Sequence, residues 1–341
     1  MKNYFSIKPL KLKPCAIFLI ATVSCSENEM SIAPETFEEK VVVTNRGAGS
    51  ISFVDAMNNS VSKTLSIPNS EPMYVVYVPQ NDKLYIGDRM GKKVHIINPK
   101  TQEVEHSISI GNGVFHMWAD GLGKELWVTN DIDNTISVIN LATSTVSNTI
   151  NVDMKPHDVF LTKDGTTAFV SVFTGSSTAD KVYRYSLSSY TKTGEVSVGK
   201  EPHLFHLSNS NNLYIPCQSG KLYVVNPNTM SVTLEKDYSN AHGIFASPDQ
   251  SKIFVSNITG NQLFSINSTS GEQISSIPSA AAIPHNITAN NHGDKMFVTH
   301  SGAAGTVSVY NINSAGTLSN AASFTTAANP FGIVYYKRKT N

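Results

Sequence analysis

Five of the ten histidines stand in one recurring setting: Val-Phe before His116, Lys-Pro before His157, Glu-Pro before His203, Asn-Ala before His242 and Ile-Pro before His285. Two further segments share the setting without the imidazole, Glu-Pro before Met73 and Asn-Pro before Phe331. Imidazole is the commonest protein metal ligand, so several aimed at one point would bind a transition metal. Met73 adds a thioether and Cys217 a thiol, and that donor set suits copper, zinc, nickel or iron rather than magnesium or calcium. One structural zinc takes four ligands, too few to use all five histidines and Met73. A copper cluster, or an ion held by a subset, fits the count better. Two other readings stay open at this point. Each histidine could cap the loop entering its strand by bonding a neighbouring carbonyl, or the set could hold a metal-free organic ligand through hydrogen bonds.

The elements that would position these residues are read from a repeat. A short apolar strand, a turn with Asp, Asn or Gly, and a second strand recur, the second strand ending at Asn45, Asp88, Asn130, Val172, Cys217, Asn257 and His300. The seven copies lie 40 to 45 residues apart. A third alternating strand follows each, such as Thr135 to Ile139, and then a more polar fourth, such as Thr145 to Ile150. Four strands per repeat with period-2 alternation is the arithmetic of a β-propeller blade. The expected fold is all-β, a seven-bladed propeller over residues 40–341. The C-terminal strand from Phe331 to Lys337 would pair with Lys40 to Asn45 to complete blade one and remove an open sheet edge. In such a fold the first strands line the channel. One residue per blade then falls on its mouth: Phe331, Met73, His116, His157, His203, His242 and His285. The second-strand ends form an outer ring of Asn45, Asp88, Asn130, Val172, Cys217, Asn257 and His300, with Arg46 and Arg89 beside it as candidates for holding an anion. The other histidines are expected elsewhere: His95 and His106 exposed on outer strands, His292 in a turn at the opposite face, His206 packed between blades.

The stretches Val-Val-Thr-Asn45 and Trp-Val-Thr-Asn130, the Pro-His pairs, and the turns Lys-Asp-Gly165 and Pro-Asp-Gln250 resemble the YVTN repeat family, seven-bladed propellers of surface-layer-like, YncE-like and lactonase-like proteins. The resemblance covers nearly all of residues 40–337 and speaks to fold more than to function. The histidine ring is also similar in architecture to the copper-cluster ring of nitrous oxide reductase, another seven-bladed propeller. Cobalamin-binding surface propellers that assist an outer-membrane transporter offer a second comparison, and propeller lyases or metal-dependent oxidoreductases a third. No Gly-x-Ser-x-Gly elbow, Walker, Rossmann or metalloprotease motif is present, so the sequence names no catalytic residue. Asp158 follows His157, but adjacent strand residues face opposite ways, which argues against a pair. A plain interaction scaffold remains the blandest reading.

Residues 1–24 read as an export signal: Lys2, Lys8, Lys11 and Lys13 precede a run from Cys15 to Val23 that is apolar but for Thr22. Thr22-Val23-Ser24-Cys25 resembles a bacterial lipobox, which implies a lipid on Cys25 and an outer-membrane lipoprotein facing the periplasm or the cell surface. Residues 25–39 would then be a flexible tether. With charged residues at 15% and zero formal net charge, nothing attracts nucleic acid. Three cysteines supply no disulfide framework. The functional expectation is an exported lipoprotein that binds a small ligand at its histidine-lined channel, a transition metal such as copper or zinc or a metal complex.

Overall fold

In the computed structural model, which describes residues 35–340, twenty-eight strands form seven four-stranded antiparallel sheets. Among the described residues the only helix is a short 3-10 turn, Arg46–Ala48. The export signal and Cys25 lie outside the described residues. Blade one takes its inner strand, Pro330–Lys339, from the C-terminal end, and this pairs antiparallel with Phe37–Asn45 from Phe37 opposite Lys339 to Asn45 opposite Pro330. The expected seven-bladed propeller and its strand closure are both present.

Each interface between blades holds one apolar cluster. Six of the seven are built on an aromatic from a second strand: Tyr85, Trp127, Phe169, Tyr214, Phe254 and Phe297, all fully buried. Fourth strands such as Ser60–Ser66 bury no residue fully and half-cover only Lys63 and Leu65, because one of their faces meets water.

The Val-Thr-Asn endings have a mechanical meaning. Most inner strands carry a β-bulge near their start, for example between Pro156 and Val159, which leaves one backbone N–H outside the ladder. A hydroxyl from the second strand accepts it: Ser171 from Asp158 at 2.9 Å, Thr129 from His116 at 3.0 Å, Ser256 from Gly243 at 2.8 Å, Thr299 from Asn286 at 3.0 Å and Thr44 from Gly332 at 2.8 Å. Four of these hydroxyls also donate to the inner-strand carbonyl of the next blade: Thr129 to His157 at 2.7 Å, Ser256 to His285 at 2.8 Å, Thr299 to Phe331 at 3.0 Å, and Thr44 to Met73. The asparagine then ties second strand to third, as Asn45 does to Ser50 and Ser52 and Asn130 to Thr135 and Ser137.

Two blades depart from this scheme. Gly87 replaces the hydroxyl in blade two, and its missing side chain leaves room for Val114 and Met117. Pro216 replaces it in blade five, where the inner strand shrinks to His206–Leu207 and Leu204 takes a left-handed φ of 51°. That conformation strains a residue with a Cβ, and it sits directly after His203.

Candidate metal centre

Where the inner strands begin, a closed chain of rings crosses the channel. Centroid separations run 4.3 Å from Phe331 to His285, 4.4 Å to His242, 4.2 Å to His203, 4.6 Å to His157 and 3.9 Å to Phe115. Phe115 and Phe331, 6.3 Å apart, close the circuit beside the fully buried Met73. The four imidazoles are only 3–6% exposed, so they plug the channel rather than rim an open mouth.

His116 does not stand in this ring. Val114 pairs with Asn130 as Pro156 pairs with Val172, which makes Phe115 the counterpart of His157 and places His116 one position deeper, level with Asp158. That deeper layer also contains Tyr74, Leu204 and Asn286, with Gly332 and Gly243 supplying space. A Cβ on Gly243 would collide with the His285 carbonyl oxygen.

Asp158 is fully buried at the junction of the two layers. Its Oδ2 lies 2.7 Å from His157 Nδ1 and 3.5 Å from His203 Nδ1, and its Oδ1 lies 3.8 Å from His116 Nδ1. The bulge breaks strand alternation, so His157 and Asp158 both face inward despite being adjacent. Donor atoms of His157, Asp158 and His203 all fall within 4.8 Å of one another. The Gln218 amide lies 2.6 Å from His203 Nε2 and 2.8 Å from His242 Nδ1. Asn286 meets His285 Nδ1 at 2.9 Å, and the Val159 N–H donates to His116 Nδ1 at 3.2 Å, which puts that ring's proton on Nε2.

Electrostatics favour a cation here. Burial pushes the His116 imidazole down to about 4 against the pull of Asp158, and it lowers His157 and His242 as well. Burial alone would raise Asp158, but His157, His203 and His116 together hold its carboxyl well below the usual range. No lysine or arginine among the described residues pairs with it. The result is a fully buried carboxylate that its imidazole neighbours hold ionised, a negative charge that can draw a positive guest. Five buried polar atoms in the two layers also make no well-formed hydrogen bond: Asp158 Oδ1, His203 Nδ1, His242 Nε2, Asn286 Oδ1 and the Tyr74 hydroxyl. Burial makes ionising that hydroxyl harder still.

The residues present therefore fit a metal ion. Tetrahedral zinc at about 2.0–2.1 Å from each ligand requires donors about 3.4 Å apart. The His203–Asp158 spacing meets this, and the shorter His157–Asp158 hydrogen bond must open slightly. Two imidazoles and a carboxylate are a nitrogen–oxygen set for zinc, copper(II) or ferrous iron. The five imidazoles are not equivalent donors, because His116 stands outside the ring and hydrogen bonds to Gln218, Asn286 and Val159 engage the rings with separate partners.

No protein-family model matches the chain, and no curated protein sequence matches it. Solved structures do. Hydrazine synthase of Kuenenia stuttgartiensis superposes with a TM-score of 0.68 at 13% identity, over 82% of this chain and 98% of that one. A candidate 6-phosphogluconolactonase from Bacteroides uniformis gives 0.72 at 16%, over 88% and 99%. The dihydro-heme d1 dehydrogenase NirN gives 0.65 at 11%, over 86% and 74%. The likeness is one of fold. At these identities it carries no activity across.

The expected outer ring works for the fold instead. Asp88 accepts the Glu71 and Gly91 N–H groups and meets His95 Nε2 at 3.2 Å, so His95 is buried rather than exposed. His300 meets the Ala282 carbonyl at 3.0 Å and Ser308 at 2.7 Å, and Asn257 accepts the Gly260 N–H. Cys217 is fully buried and its thiol pKa is raised by burial, which disfavours the thiolate a metal needs. Met73 packs in an apolar cluster with Tyr74 and Phe331. Arg46 pairs with Glu71 at 2.6 Å over the Phe331 ring, and Arg89 pairs with Asp131 at 2.9 Å, leaving neither free for an anion. His106 and His292 are exposed, whereas His206 lines the channel instead of packing between blades.

A pH dependence follows from two imidazoles outside the His157–Asp158–His203 group. Burial lowers His285 to about 3 and His206 to about 4 from a model-compound value of 6.5. The unfolded chain therefore takes up protons below pH 6.5 that the folded chain refuses, and stability present above that pH drains away as pH falls. Each group contributes about 1.4 kcal/mol per pH unit across that window. Tm is expected to fall from pH 6.5 to 4.5, and less steeply for His285→Gln. Equal slopes in the two proteins would contradict the assignment.

Proposed function

We propose that this chain is an exported lipoprotein of the YVTN/YncE-like repeat type whose channel binds one divalent transition-metal ion through His157, Asp158 and His203. The observation that carries the reading is Asp158: a fully buried carboxylate within 3.5 Å of two imidazoles and without a basic partner. With the Gln218 amide oxygen turned toward the rings, His203 Nε2 would donate to it and leave Nδ1 as a lone pair for the ion, the usual way an outer partner sets a ligand's tautomer. His116, Tyr74 and Asn286 would complete the polar surroundings. The role is binding, and no catalytic step is assigned. The leader and lipobox-like segment support a place in the cell envelope, with an outer-membrane transporter as the proposed partner.

Calorimetric titration of protein purified without a polyhistidine tag tests the metal assignment. One zinc or copper(II) ion is expected per chain, with stabilisation of about 4 kcal/mol when free metal is 1,000 times Kd. No saturable binding, or an equal response to magnesium, would contradict it.

A further inference from the structure

Beyond the imidazole layer the channel widens into a cavity of 530 Å³ that reaches the far ends of the inner strands, where Gln80 and Lys163 are exposed. This volume suits a small organic molecule. The walls are apolar and aromatic, with Val76, Trp118, Phe160, Phe245 and Ile333 among the lining residues. Trp118 and Phe160 lie 5.3 Å apart between ring centroids, offering flat faces to a planar guest.

The outer end of the lining carries Gln80, Asp120, Lys163 and Gln250, and the inner end Tyr74, His116 and Asn286. His206 is 8% exposed, and its Nε2 has no hydrogen-bond partner. Lys163 makes no ion pair, and its charge acts on the His206 ring. Asp120 also lines the cavity, but its Oδ1 is committed to the Lys124 and Glu125 backbone N–H groups. At the inner end stand Tyr74 and Asn286, close to the Asp158 carboxylate, where a second negative charge would be repelled.

We propose that this cavity is a second binding site, for an organic anion with a fused or linked aromatic body, seated against Trp118, Phe160 and Phe245 with its anionic head outward between Lys163 and His206. Lys163 supplies the opposing charge, and a turn of the His206 ring brings its unpartnered Nε2 to the head. The site shares Tyr74, His116 and Asn286 with the surroundings proposed for the metal, but none of the three proposed metal ligands lines it.

A matched pair of fluorescent probes tests this in the presence of EDTA, which removes any contribution of bound metal. Anilinonaphthalene sulfonate carries the anionic head, and phenylnaphthylamine is the same aromatic body without it. The sulfonate is expected to bind one per chain with a blue-shifted emission and more tightly than the amine. Lys163→Glu, an exposed substitution, should weaken the sulfonate about tenfold, roughly 1.4 kcal/mol, and leave the amine within about twofold. Val76→Trp, which fills the cavity, should weaken both. The proposal is overturned if the sulfonate shows no saturable binding, if Lys163→Glu affects both probes alike or neither, or if binding survives Val76→Trp in a folded protein.

Discussion

Asp158→Asn is expected to lower zinc affinity by at least about 100-fold. The carboxylate is the only formal charge among the three proposed ligands, and an amide oxygen replaces it with a weak neutral donor. Without metal, His157, His203 and His116 hold the carboxyl well below its usual range, so the ionised group stabilises the fold and the variant is also expected to melt below the wild type. A merely structural Asp158, held in place by its hydrogen bond to His157, predicts the same loss of stability with an unchanged zinc response. Thermal melts with and without zinc, alongside the titration, separate the two.

Thr129→Val is expected to cost about 3 kcal/mol, roughly 6 °C in Tm. The Thr129 hydroxyl accepts the His116 N–H at 3.0 Å and donates to the His157 carbonyl at 2.7 Å, both buried. Valine matches its shape but leaves both backbone groups unsatisfied. Thr129→Ser should restore most of the loss by returning the hydroxyl. Because the staple holds His157 to the neighbouring blade, the valine variant should also bind zinc more weakly. A valine variant that melts with the wild type would show that the recurring threonine packs rather than bonds.

These staples explain how much of the fold could be read from residues alone. The period was visible because each repeat ends in the residues that fasten it, Thr44-Asn45, Thr129-Asn130 and Thr299-His300 among them, so the mechanics are written into the sequence. The ring was legible where Pro-His or Ala-His sits at a common register. His157 precedes Val172, His242 precedes Asn257 and His285 precedes His300 by fifteen residues each. In blade three that spacing before Asn130 falls on Phe115, and counting it would have placed His116 in the deeper layer. Strand alternation argues against pairing Asp158 with His157, and a β-bulge suspends that alternation. The bulge leaves only an indirect trace, the recurring hydroxyl two residues beyond the aromatic of the second strand. Tyr74, Gln218 and Asn286 gave no signal, since their importance lies in the channel geometry. The outer ring misled for a related reason. Polar residues at equivalent positions of a repeat can serve the repeat, and His300, Asp88 and Asn130 do.

The most direct test of the metal assignment is anomalous diffraction at the zinc edge from crystals grown with one equivalent of zinc. A single strong peak is expected within about 2.1 Å of nitrogen atoms from His157 and His203 and of an Asp158 oxygen. A peak at Cys217 or at exposed His106 or His292, or none in the channel at full zinc loading, would contradict it.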